Sequence, residues 1–193
     1  MAYSSIIIDD FYDNPDEVRE FALTQDYGVE GNFPGNRTIP FLNDSTKNYI
    51  AQHITPLHGE ITWVTEEYTG SFQYTTANDT SWMHADEYNN WAGVLYLTPN
   101  APISGGTGLF KHKETGLYKI PRFADGSLDQ KLVDKIYEDA NDITKWEMTD
   151  FIGNKYNRLV IYQGDFFHKS LDYFGSNINN GRLFQTFFFD TKN

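Results

Sequence analysis

Cysteine is absent from the 193 residues, which excludes disulfides, thiolate zinc sites, iron–sulfur clusters and thiol catalysis. Basic residues are scarce, 15 against 27 acidic, for a formal charge of −12. The summed field repels phosphate backbones and anionic lipid, and no local basic patch offsets it, so the charge argues against nucleic-acid and membrane partners. Long apolar runs are lacking as well. Near the N-terminus the longest is Ile6-Ile7-Ile8, far short of a signal-peptide core or a membrane span, and a cysteine-free chain of this kind reads most simply as cytoplasmic. Repeats, low-complexity tracts and linker-like stretches are also missing. The expectation is a single domain over 1–193.

Aromatic residues are plentiful, 17% of the chain with 15 Phe and 13 Tyr, and they cluster beside β-branched residues in short segments that favour strands. Ile6-Ile7-Ile8 reads as a first strand. Asn14 then caps a helix over 16–24 with Pro15 at its first position, and 45–54 reads as a second helix capped by Asp44 or Ser45 and stopped before Pro56. The glycine- and proline-bearing stretch 27–40 reads as loop. From 60 onward the texture is β: 61–68, 70–76, 91–97, 108–110, 158–163, 166–170 and 182–190 fit the strand template. Leu132, Val133, Ile136 and Tyr137 repeat at helical spacing, marking a helix within an insertion over about 112–155. Helices over 1–59 followed by short strands over 60–190 suggest an α+β fold with a double-stranded jelly-roll core.

Within this frame Trp82-Met83-His84-Ala85-Asp86 carries chemistry. On an extended strand, residues two apart share a face, so His84 and Asp86 can reach one metal ion while Ala85 points away. A third donor, His168 in Gly164-Asp165-Phe166-Phe167-His168, completes two imidazoles and one carboxylate, the donor set of non-heme ferrous sites with open positions. Taken singly, His84 reads as a turn-capping histidine, Asp86 as a cap, and His168 as a core histidine among phenylalanines. Arg182 opens the last strand on an otherwise apolar segment, and its planar guanidinium needs an anion, either an internal carboxylate or a bound one. His53, His58 and His112 read as structural or surface residues.

The order His84-x-Asp86, a distant His168 and then Arg182 resembles the iron(II)/2-oxoglutarate-dependent oxygenases, most closely the prolyl 4-hydroxylase-like group. The likeness extends over about 61–190 through Gln73-Tyr74, Tyr96-Leu97, Gly105-Gly106 with Leu109-Phe110, and Gly164-Asp165, with an Ile8-Asp9-Asp10-Phe11 opening that is common in the group. Phe184 departs from it by standing where a Ser or Thr often follows the basic anchor, so that Thr186 is the nearest hydroxyl on that face. The resemblance implies Fe(II) held by His84, Asp86 and His168, with 2-oxoglutarate chelated to the iron and anchored by Arg182, Tyr74, Tyr96 and Thr186. It further implies O2 as co-substrate and release of succinate and CO2 as a peptide, amino acid or small molecule is hydroxylated. Retention of Asp86 favours hydroxylation over halogenation, in which a small residue replaces the carboxylate. Trp82, Tyr88, Trp91 and the segment 111–123 are candidate substrate contacts, and 100–108 a candidate lid. Two rival readings are a non-catalytic jelly-roll module and a zinc hydrolase on the same triad. Substrate identity and oligomeric state are not encoded in any motif.

Overall fold

The computed structural model describes residues 4–64 and 68–192. Its longest strand, β10 (Arg182–Lys192), organises a seven-stranded antiparallel sheet. On one side β10 pairs with β5 (Trp91–Tyr96), which continues to β8 (Leu159–Gln163) and β1 (Ser5–Ile8). On the other side it pairs first with β4 (Ser71–Thr75), bordered by β2 (Asn36–Pro40), and further along with β3 (Glu60–Trp63). A second sheet has the order β7 (Trp146–Ile152), β6 (Thr107–His112), β9 (His168–Ser170).

Period-two alternation explains how the layers stack. Along β10, Leu183, Phe187 and Phe189 join Leu95, Leu159, Ile161 and Phe72 in a core covered by α1 (Pro15–Leu23) and α2 (Asp44–His58), which contribute Ala22, Ile50 and Ile54. Phe184 faces the other way, with Val94, Tyr96, Val160 and Tyr162, toward Leu109 and Ile152 of the small sheet. The far side of the small sheet, with Phe110 and Trp146, packs on Val133 and Ile136 of α3 (Gln130–Tyr137). Each fully buried Leu, Ile or Phe stabilises this stack by roughly 1.5–3 kcal/mol. The space between the sheets is open at one end, and there the candidate site lies.

Several expectations need correction. The stretch 27–40, expected as loop, ends in β2. This strand lies at the edge of the sheet, where Pro40 loses no ladder bond and where polar Arg37 and Thr38 are buried, so no apolar alternation betrays it. The cap of α2 is Asn43, whose side chain accepts from the Thr46 N–H, and the helix continues through Pro56 to Gly59, where φ is 86°. Pro56 and residue Gln52, whose carbonyl goes without that donor, are on the exposed side of the last turns, so the broken bond is made to water. Asn14 precedes α1 but makes no side-chain cap bond. The insertion holds the outer strand β7 as well as α3; between Leu109 and Phe110 its register slips, with Asp150 opposite Leu109 and Met148 opposite Phe110. That bulge at Thr149 breaks the alternation a strand reading relies on. The part expected to be helical, 1–59, supplies two strands of the large sheet besides two helices. The strand expected over 61–68 ends at Trp63, and its residues 65–67 lie outside the described residues. Among the described residues no helix is long and apolar enough to cross a membrane.

The N-terminal strand is tethered by Asp9, whose carboxylate accepts from Arg158 Nε (2.7 Å) and Nη2 (3.0 Å) and lies 3.0 Å from Lys155 Nζ. The Arg158 hydrogen bond, opposed in part by burial and helped by Lys155, brings the Asp9 pKa down to about 2 from 3.8. A depressed carboxylate pKa adds stability that is complete above the unfolded value and disappears as pH falls through the folded one. Asp9→Asn is therefore expected to lower unfolding stability at pH 7 by about 0.5–1 kcal/mol. Urea denaturation should show the gap between the two proteins closing from about pH 4 down to pH 2.

Candidate metal centre

His84 lies outside any regular strand but forms a single β-bridge with His168, the first residue of β9. The bond is reciprocal: His168 N–H donates to His84 O (2.8 Å) and His84 N–H to His168 O (3.2 Å). Extended backbone on either side then puts Met83 and Ala85 into the core around α3 and leaves His84 and Asp86 facing the space between the sheets, as the spacing predicts. Asp86 is pinned by its N–H, which donates to Gly164 O (2.7 Å). Gly164 permits this approach, because a Cβ there would come within 2.6 Å of the Asn89 carbonyl and 3.2 Å of Asp86 Cβ. One donor atom from each of His84, Asp86 and His168 lies within 4.8 Å of the others.

The ring orientations are held by the backbone. His84 Nδ1 is 3.1 Å from Trp82 O and His168 Nδ1 is 2.8 Å from Phe166 O. A carbonyl only accepts, so each Nδ1 carries the hydrogen and each Nε2 keeps its lone pair, the arrangement that orients metal-ligating imidazoles. Burial, reinforced by the nearness of His84, holds the His168 pKa well below the usual histidine range, so its ring is neutral and able to ligate near pH 7. Burial raises the Asp86 carboxyl above the usual range against the opposing pull of His84. The Asp86 carboxylate lacks a bonded cation, and its one side-chain partner is the Asn89 amide at 3.4 Å.

The three residues line a cavity of about 900 Å³ whose wall includes Val94, Thr107, Tyr162, Phe184, Thr186 and Phe188. Arg182 sits behind this wall, fully buried, its guanidinium 4.4 Å from the Phe184 ring centroid and 5.2 Å from that of Tyr96. Nε donates to Gly105 O (2.9 Å), while Nη1 and Nη2 have no partner. Two further buried hydroxyls are also without a partner: Thr75 Oγ1, on the residue paired with Arg182, and Tyr173 Oη, close enough to feel its charge. An internal carboxylate bonded to Arg182 is absent among the described residues.

The other residues named from sequence are placed unequally. Tyr96 lies beside Arg182 with its hydroxyl 2.7 Å from Thr107 Oγ1. Thr186 lines the cavity but its hydroxyl donates to Tyr68 O (2.8 Å). Tyr74 is on the opposite face of β4, edge-on to Tyr27 in the helix-covered core, and has no part in the cavity wall. Trp82 and Tyr88 line the cavity, the latter 87% exposed. Trp91 packs instead between Phe189 and His58, and no residue of 111–123 reaches the wall. His112 is structural, bonded to Thr115 and Asp139. Sequence reasoning passed over Arg37, Tyr137 and Tyr162, all on the wall. Arg37 hid in the presumed loop, and Tyr162 is one aromatic among many, whose only signal is its inward parity on β8.

Fold and site together define an antiparallel two-sheet protein with a His-Asp-His cluster at the open end of its interior. The chain belongs to a family of unknown function, DUF6445, which it matches over residues 2–189. No curated protein matches it. Among solved structures it is similar to HygX from Streptomyces hygroscopicus with nickel and 2-oxoglutarate bound, at 9% identity and a TM-score of 0.62, covering 98% of this chain and 83% of that one. The same protein with hygromycin B also bound gives 10% identity and a TM-score of 0.61 with the same coverage. A Pseudomonas putida prolyl-4-hydroxylase matches at 14% identity and a TM-score of 0.50, over 100% of this chain and 95% of that one. At these identities the likeness is one of fold.

Because Gly164 and Asn89 are what bring Asp86 into position, Gly164→Ala and Asn89→Ala should each weaken binding of a divalent ion about 10- to 100-fold. Calorimetric titration with Ni(II) checks this, with circular dichroism confirming that the fold is retained.

Proposed function

We propose that this chain is an iron(II)- and 2-oxoglutarate-dependent oxygenase built as one domain on a double-stranded β-helix, and that it hydroxylates a small molecule, an amino acid or a peptide. The observation that carries this reading is the meeting of His84, Asp86 and His168 at the cavity, their donor atoms within 4.8 Å of one another and both Nδ1 atoms engaged by carbonyls. The fit to a divalent ion rests on the donors themselves: two Nε2 lone pairs and a buried carboxylate lacking a bonded cation. HygX structures with iron, or with nickel and 2-oxoglutarate, support the choice of cofactors.

Bound ferrous iron and 2-oxoglutarate would supply the oxidising power, O2 being consumed and succinate and CO2 released as a substrate C–H becomes C–OH. The protein's part is binding, orientation and exclusion of water. His84 Nε2, His168 Nε2 and Asp86 would hold the ion from the β9 side and leave the cavity side for exchangeable ligands. Behind the wall, Arg182 Nη1 and Nη2 with Thr75 and Tyr173 offer unpartnered donors for the far carboxylate of the keto acid. A buried guanidinium without an anion costs several kcal/mol, and a carboxylate held through two parallel bonds removes that cost. In this reading Tyr173 and Thr75 take the place of the hydroxyl that Phe184 cannot supply. Phe184, Phe188, Val94 and Tyr162 make the wall apolar enough to keep water from the reacting centre.

Anaerobic addition of Fe(II) and 2-oxoglutarate should give a weak visible charge-transfer band. Arg182→Ala should raise the co-substrate concentration needed for half of that band by at least about tenfold, the cost of leaving one member of a charged pair alone. His84→Ala should abolish both the band and succinate release. A His84→Ala protein that still decarboxylates 2-oxoglutarate would overturn the ligand assignment, and hydrolysis supported by zinc alone would overturn the reaction class.

A further inference from the structure

Arg37 is the second guanidinium of the interior, 7% exposed and on the cavity wall, and the oxygenase reading leaves it without a task. Its Cζ lies 3.8 Å from the centroid of the Phe33 ring and 4.5 Å from that of Tyr68, so two aromatic faces fix its plane. Nε (2.9 Å) and Nη2 both donate to Gln73 Oε1. The amide is itself oriented by Gln73 Nε2 donating to Pro34 O (2.6 Å). One edge of the fork is thereby taken by a neutral group, and Nη1 together with the second hydrogen of Nη2 is left for something else. Burial lowers the pKa to about 10, which still leaves the group charged at neutral pH.

A charge so buried and so firmly aimed, with only a neutral bonded partner, calls for an anion. Asp86 is the carboxylate whose charge reaches it, but in the proposed function Asp86 ligates the ion. With a divalent ion and a dianionic keto acid in place, the charges of ion, Asp86, co-substrate and Arg182 cancel, and that of Arg37 is left over. Glu87, the other acidic residue of the wall, acts on Tyr137 and makes no bond to Arg37. Resting on that functional reading, we propose that Arg37 is a substrate-recognition residue: its free edge binds a carboxylate of the substrate and so directs the rest of the molecule toward the His84–Asp86–His168 centre. A carboxylate fits better than a phosphate. A phosphate dianion would leave one charge over, and the wall has no other Lys or Arg among the described residues.

The test uses protein loaded with Ni(II) and 2-oxoglutarate and a panel of N-acetyl amino acids, each beside its C-terminal amide, with inorganic phosphate as a further arm. Saturation-transfer NMR and calorimetry should show at least one acid binding about tenfold or more tightly than its amide. Arg37→Gln should remove that preference, Arg37→Lys should keep part of it, and neither should change the 2-oxoglutarate dependence of the Fe(II) band. Acid and amide binding equally, no acid binding at all, or preference for phosphate would each overturn the proposal. So would loss of 2-oxoglutarate affinity in Arg37→Gln with none in Arg182→Ala, since the two guanidiniums would then have exchanged roles. If Arg37→Gln does not fold, the acid–amide comparison on the unsubstituted protein decides. The same comparison on metal-free protein separates the two readings: an absent Fe(II) band counts against the oxygenase, whereas a lost acid preference counts against Arg37.

Discussion

The reciprocal backbone bond between His84 and His168 is the contact on which the site depends. The two residues are far apart in the chain and neither neighbourhood is locally rigid, since His84 belongs to no strand and β9 is three residues long. Two hydrogen bonds of 2.8 and 3.2 Å nonetheless set the imidazoles against each other, with ring centroids 4.2 Å apart. Each ring is then turned by a carbonyl two residues before it, Trp82 O or Phe166 O. The same local device recurs on both sides of the bridge. Backbone geometry thus settles which nitrogen faces the cavity before any ion arrives.

Around that contact the interior holds an unusual distribution of charge for so acidic a chain. Two guanidiniums are buried, Arg182 and Arg37, and neither is bonded to a carboxylate among the described residues. Each is held instead by aromatic faces and a single neutral acceptor, Gly105 O in one case and Gln73 Oε1 in the other. Desolvation of an unpaired charge costs several kcal/mol, and total stabilities of domains this size are commonly 5–15 kcal/mol. Such costs are sustained where a ligand completes the pair, and both guanidiniums lie at or just behind the cavity wall.

What could be read from sequence followed the strength of the periodic signal. Met83-His84-Ala85-Asp86 alternates as written, two side chains to the core and two to the cavity, because extended backbone imposes that parity even at a single bridge. The helix-covered face of β10 was equally legible from Leu183, Phe187 and Phe189. The losses came where the pattern is broken or polar. Edge strand β2 buries Arg37 and Thr38 rather than apolar residues, β7 carries a bulge at Thr149, and α2 runs through Pro56 because its last turn is wet. Tyr74 shows how far parity matters: one residue from Gln73 along β4, it faces the other core altogether.

The residues alone determined the chemistry available: no thiols, an acidic exterior, two imidazoles and a carboxylate in an order that allows one metal site, and an arginine needing an anion. Those follow from side-chain identity and from the period of extended chain, which are local properties. Only the tertiary structure decided that the three donors converge, that Tyr74 turns away, and that Arg37 joins Asp86 on one cavity wall. Convergence of distant segments depends on how the strands of two sheets pair and stack, and no local propensity carries that information.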